Sequence, residues 1–71
     1  MSKIRFNIEG MSCEHCVKAV KNAVGAIDGV TGVEVSLEEN TAIVECGETP
    51  PELIKSEIED QGYDVTGFEI L

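Results

Sequence analysis

Residues 33–46 read VEVSLEENTAIVEC. Val33, Val35 and Leu37 alternate with polar residues, Glu39-Asn40 supplies turn chemistry, and Ala42, Val44 and Cys46 alternate again. That pattern predicts a β-hairpin with one buried face. What flanks the hairpin decides the fold. Upstream, from about Cys13, the apolar period lengthens: Val17, Val20, Val24 and Ile27 recur at three and four, one stripe of a helix that shows Lys18, Lys21 and Asn22 on its other side and ends near Gly29. Before that helix, Ile4, Phe6 and Ile8 alternate with Lys3, Arg5 and Asn7, the period of a half-buried strand. Downstream, Thr49-Pro50-Pro51-Glu52 offers Thr as N-cap and Pro in the first turn of a second helix, which carries Leu53, Ile54 and Ile58 inward and stops at Gly62. Tyr63 to Ile70 supplies a last strand with a bulge at Gly67.

The order is βαββαβ. It predicts an α+β, ferredoxin-like domain over residues 1–71: a four-stranded antiparallel sheet in the order 4-1-3-2 with two helices on one face. Right-handed crossovers make the first two strands parallel, with the third running opposite between them. The loop after the first strand, the turn of the hairpin and the start of the last strand then share one edge, so Cys13, Cys16 and Tyr63 are expected to be neighbours. Cys46 falls at the opposite edge, in phase with Ala42 and Val44, as a small buried hydrophobe.

Composition narrows the functional classes. At 71 residues the chain is one domain at most, with a modest core. No apolar run approaches the length of a membrane span, so no membrane insertion is expected. The charged, alternating N-terminus is unlike a signal peptide, and three cysteines is an odd set for a disulfide scaffold; both favour reduced thiols and a cytoplasmic location. A formal charge of −9 argues against nucleic acid as a partner, because phosphate neutralisation needs clustered cations. The charge is uneven. Residues 1–33 hold Lys3, Arg5, Lys18 and Lys21 against Glu9, Glu14 and Asp28, while residues 34–71 hold eleven acids against Lys55 alone. No acid, base and nucleophile constellation appears outside one loop, so an enzyme is not expected.

That loop is GMSCEHC, residues 10–16. Cys13 and Cys16 are three apart where a loop becomes a helix, so both sulfurs can converge and the free N–H groups of the helix start favour thiolate. A thioredoxin-type redox pair is one reading, with His15 the only nearby candidate for proton chemistry. A closed zinc site needs four ligands, and the chain offers one further Cys and no further His. Two thiolates without other ligands suit a soft ion of low coordination, Cu(I) among cellular metals, with Ag(I) and Hg(II) as mimics. His15, adjacent to a ligand at a helix start, is expected to face solvent and modulate the site, and Glu14 to be solvated.

GMSCEHC resembles the GMxCxxC loop of the heavy-metal-associated domain family, in the MxCxHC form typical of small bacterial copper chaperones and of copper-ATPase N-terminal domains. The resemblance extends over the whole chain through the βαββαβ order, the Gly-Val-x-x-Val at Gly29, Val30 and Val33, and the pair Gly62-Tyr63. It implies a ferredoxin-like fold, Cu(I) held by Cys13 and Cys16, and transfer by ligand exchange with the metal-binding domain of a copper-transporting P-type ATPase. It also implies that Met11 is a buried anchor for the loop and that Tyr63 is the aromatic beside the thiolates. Ser12 stands where zinc-type members usually place an acid, which leans toward copper. The expected protein is a copper carrier, monomeric without metal and able to form a copper-bridged dimer, with Lys18 and Lys21 guiding docking onto an acidic partner. Two alternatives are an N-terminal domain of a metal-transporting ATPase, against which the Met start and the end after the last strand weigh, and a thiol redox or metal-sensing module.

Overall fold

A computed structural model describes residues 2–71. The elements are β1 (Ser2–Glu9), α1 (Glu14–Gly25), β2 (Val30–Ser36), β3 (Thr41–Cys46), α2 (Pro51–Asp60) and β4 (Asp64–Ile70), the expected βαββαβ order. The strands form one sheet, β2-β3-β1-β4, with every neighbouring pair antiparallel. Since β1 and β2 both run against β3, they run in the same direction, as the crossover through α1 requires.

Alternation decides which face is covered. Ile4, Phe6 and Ile8 of β1 and Ala42, Val44 and Cys46 of β3 are all buried, and the register sets Ile4 against Val44 and Phe6 against Ala42 on one side of the sheet. Onto that side α1 lays Val20 and Val24, and α2 lays Ile54 and Ile58, each fully buried. The other side is open and charged: Lys3 pairs with Glu45 at 3.3 Å and Arg5 with Glu69 at 3.2 Å. Such exposed pairs contribute at most about 1 kcal/mol each. The fold rests on the apolar side.

Several local expectations are corrected. Helix α1 closes at Gly25 rather than near Gly29. Ile27 N–H reaches back to the Val24 carbonyl at 3.1 Å, so Ile27 meets the core from a turn, which satisfies the same apolar spacing as another helical turn would. Gly29, at φ +94°, then reverses the chain into β2. Thr49 is not the cap of α2; Pro50 is, with Pro51 in the first turn. The Thr49 hydroxyl instead donates to the Asp28 carbonyl at 3.0 Å, across the end of the molecule. Leu53 is exposed rather than inward, because Ile54 and Ile58 set the buried face of α2 and Leu53 stands about 100° away around the helix. Leu37 lies in the hairpin turn beyond β2, although it still packs against the core. The β4 irregularity is at Thr66, the unpaired residue beside Gly67: Asn7 faces Gly67 while Ile8 faces Val65.

At the edge that carries the loop of interest, the Ile8 N–H donates to the Asn40 carbonyl at 2.8 Å, joining the end of β1 to the hairpin turn. Cys46 lies at the far end of the sheet, opposite Ser2 and Val30, and is 1% exposed.

Candidate metal-binding loop

The loop leaves β1 through Gly10, whose φ of +102° is open to few other residues. A side chain at Gly10 would also meet the Tyr63 ring, 3.5 Å from an added Cβ. Met11 then turns inward and joins the core at 7% exposure, while Ser12, Cys13, Glu14 and His15 are exposed. The loop is thus pinned at one residue and open over the next four. Cys13 is the N-cap of α1, in extended conformation, and its carbonyl accepts from the Cys16 N–H at 3.1 Å and the Val17 N–H at 3.3 Å. This first turn carries Cys16 back under Cys13.

The two sulfurs lie 3.7 Å apart, as free thiols. A disulfide would need about 2.05 Å. An ion with bonds of about 2.3 Å to sulfur, as in zinc thiolates, spans two sulfurs up to about 4.6 Å apart, so one soft ion fits between these two after a small adjustment. Among the described residues no cluster of three or more His, Cys, Asp or Glu side chains forms a site. The donor set on offer is the dithiol.

The thiols are not equivalent. Cys13 is exposed, whereas Cys16 is half-buried and packs against the core. The Cys16 thiol is lowered to about 7, first by a backbone hydrogen bond at Ser12 and then by the Tyr63 hydroxyl, with Cys13 assisting and burial opposing. Tyr63 is raised in turn, chiefly because its hydroxyl is engaged by Cys16. Glu14 sits in the first turn, where a carboxylate complements the helix dipole rather than the thiols. Lys18 and Lys21 are exposed on α1 beside the loop.

The structure brings Cys13, Cys16 and Tyr63 together, buries Met11 beneath them and leaves His15 in solvent. The backbone contribution at Ser12 was not visible in the sequence, since its side chain plays no part in it.

Fold and loop together define a ferredoxin-like domain that presents a dithiol at a helix N-terminus. The chain belongs to the heavy-metal-associated domain family, whose signature matches residues 5–64. It is 48% identical over 67 residues to the copper chaperone CopZ of Staphylococcus aureus (strain bovine RF122 / ET3-1), covering 92% of this chain and 98% of that protein. Among solved structures it is similar to a CopZ metallochaperone, with a TM-score of 0.89 and 45% identity, over 92% of this chain and all of that one. A copper binding domain from HMA7, a P-type ATPase, superposes with the same TM-score at 37% identity, over all of this chain and 95% of that one.

Proposed function

We propose that this chain is a copper carrier that binds Cu(I) through Cys13 and Cys16 and exchanges it with the metal-binding domain of a copper-transporting P-type ATPase. The observation that carries the reading is the pair of free sulfurs, 3.7 Å apart on an exposed loop, with Cys16 lowered to about 7. Thiolate, not thiol, ligates metal, and a thiol near 7 is substantially ionised at neutral pH. Two soft donors, with no third His, Cys, Asp or Glu side chain clustered beside them among the described residues, suit a soft ion of low coordination such as Cu(I). Similarity across 98% of the S. aureus chaperone supports a carrier rather than an enzyme.

In this reading the cysteines divide the work. Cys13, outermost, is the sulfur that a partner's thiolate replaces first, while Cys16, held by the Ser12 backbone and Tyr63, keeps the metal until the second exchange. Release therefore never passes through a free ion. Met11 holds the loop to the core, His15 adjusts the charge around it, and Lys18 and Lys21 orient an acidic partner. We further read the chain as one domain, cytoplasmic, monomeric without metal and able to pair with a second copy through a shared copper ion.

The test is anaerobic. A Cys13→Ser, Cys16→Ser double variant is expected to lose stoichiometric Cu(I) to a competing chelator while keeping its fold. Retention of the metal would refute the site. Competition between Cu(I) and Zn(II) tests selectivity, and binding of one zinc per monomer in preference to copper would overturn the copper reading.

A further inference from the structure

Two of the four large apolar side chains that stand exposed among the described residues share one face: Phe68 at 40% and Ile70 at 64%. Both belong to β4, an outermost strand of the sheet. The register places Phe68 opposite Phe6 and Ile70 opposite Ile4, so both lie on the helix side and prolong the core toward solvent. The rings of Phe6 and Phe68 are 5.7 Å apart between centroids. The other edge differs, for Val30, Val33 and Val35 of β2 are each half-buried.

Backbone phase points the same way. The Leu71 N–H donates to the Lys3 carbonyl at 2.8 Å. In an antiparallel ladder the residues bonded to a given neighbour alternate, so Leu71, Glu69 and Gly67 face β1, and Phe68 and Ile70 direct their N–H and C=O groups outward. Native edges are commonly blunted by Lys, Pro or a bulge. Strand β4, DVTGFEI, has neither Lys nor Pro, and its bulge at Thr66 leaves residues 67–70 regular.

Charge selects what would cover this edge. Helix α2 and β4 carry Glu52, Glu57, Glu59, Asp60, Asp64 and Glu69 against Lys55 and the Arg5 of β1 that pairs with Glu69, a net excess of acid. At this acidic edge the same edge of a second copy is repelled, and a cationic segment is attracted. We propose that the β4 edge receives an extended cationic segment of a partner protein as an added strand, with its apolar residues against Phe68 and Ile70 and its basic residues beside Glu69 on the open face. The patch adjoins the Ile4 end of β1 and the thiol loop leaves the Glu9 end, so both surfaces are accessible at once.

The test uses the full chain and a short synthetic peptide of alternating lysine and valine. Saturable binding is expected, with the Phe68 and Ile70 amides passing from open to protected in hydrogen exchange. The same peptide N-methylated at two pairing positions keeps its charge and apolar surface, and is expected to bind about thirtyfold more weakly, the equivalent of two backbone hydrogen bonds. Phe68→Lys, which sets a cation on the edge, is expected to abolish binding; should it fail to fold, Ile70→Lys at the more exposed position takes its place. Equal affinity of the methylated peptide would reduce the effect to electrostatic attraction and overturn the proposal. Absence of binding, or of new protection at the two amides, would overturn it as well. Self-association protecting the same amides without peptide would make a second copy the occupant, and so reject a cationic partner.

Discussion

Cys16 sits at the boundary between loop and core, and its chemistry follows from that position. The Ser12 backbone and the Tyr63 hydroxyl stabilise its charged form more than partial burial penalises it, which brings it from 9.0 to about 7. Because only the thiolate reacts, alkylation of the loop is expected to rise with pH through a midpoint near 7, observable by mass spectrometry under limiting reagent. Tyr63→Phe removes a stabilising partner of the thiolate, so the midpoint is expected to move upward; an unchanged midpoint would assign the effect to the backbone alone. Met11 works by packing. Replacement by Ala at this buried position is expected to cost about 2 kcal/mol in denaturant unfolding, since the loop loses its one apolar attachment. The two cysteines and Met11 were legible in the sequence because thiols at a helix start and a lone apolar residue in a polar loop are each unusual. The inequality of the two thiols was not, because it depends on a main-chain group and on a ring brought from 47 residues away in sequence.

At the scale of elements, periodicity sufficed to find each strand and helix, and it failed at the ends and at Leu53, where adjacent apolar residues leave the buried face of α2 open to two readings. The hairpin and both helices were readable because periods of two and of 3.6 bury different residues. Helix ends are decided by contacts that sequence spacing does not encode. Thr49 looked like a cap, yet its hydroxyl has an acceptor at Asp28, more than twenty positions back, and the structure uses it to tie the α1–β2 turn to the β3–α2 turn. Gly47 adds a second tie, donating its N–H to the Gly29 carbonyl at 3.0 Å. Gly29 is required twice in this joint: its φ is positive, and an added Cβ would collide with the Thr49 hydroxyl. Gly29→Ala is therefore expected to destabilise by about 1–2 kcal/mol from backbone strain alone, with more from the collision. For a domain of this size each kcal/mol lowers Tm by about 4–8 °C. In a Thr49→Ala background the same substitution is expected to cost less, and additive losses in calorimetry would disprove the coupling.

Over the whole molecule the charge is divided between the two halves of the chain. The cations Lys18 and Lys21 share a helix with the thiol loop, whereas the second half of the chain is almost wholly acidic. If the thiols deliver copper to an acidic domain, transfer is expected to slow with added salt, and Lys18→Glu, Lys21→Glu to slow it on the order of tenfold at low ionic strength while flattening the salt dependence. Stopped-flow transfer at two salt concentrations separates this from a loss of copper affinity, which would not depend on salt in that way. The global topology was legible because six short elements admit few right-handed arrangements. The open β4 edge was not, since exposure of Phe68 and Ile70 depends on how far α2 extends over the sheet.

Cys46, sealed at the end of the sheet remote from the loop, gives the protein an internal clock. Two of its thiols meet a reagent at once, and the third becomes reactive only when the core itself comes apart. Once Cys13 and Cys16 are capped, the rate at which a thiol reagent modifies Cys46 reports openings of the native state, without denaturant and without an introduced cysteine. The same measurement on copper-loaded protein reads how far a metal held at one end steadies the other.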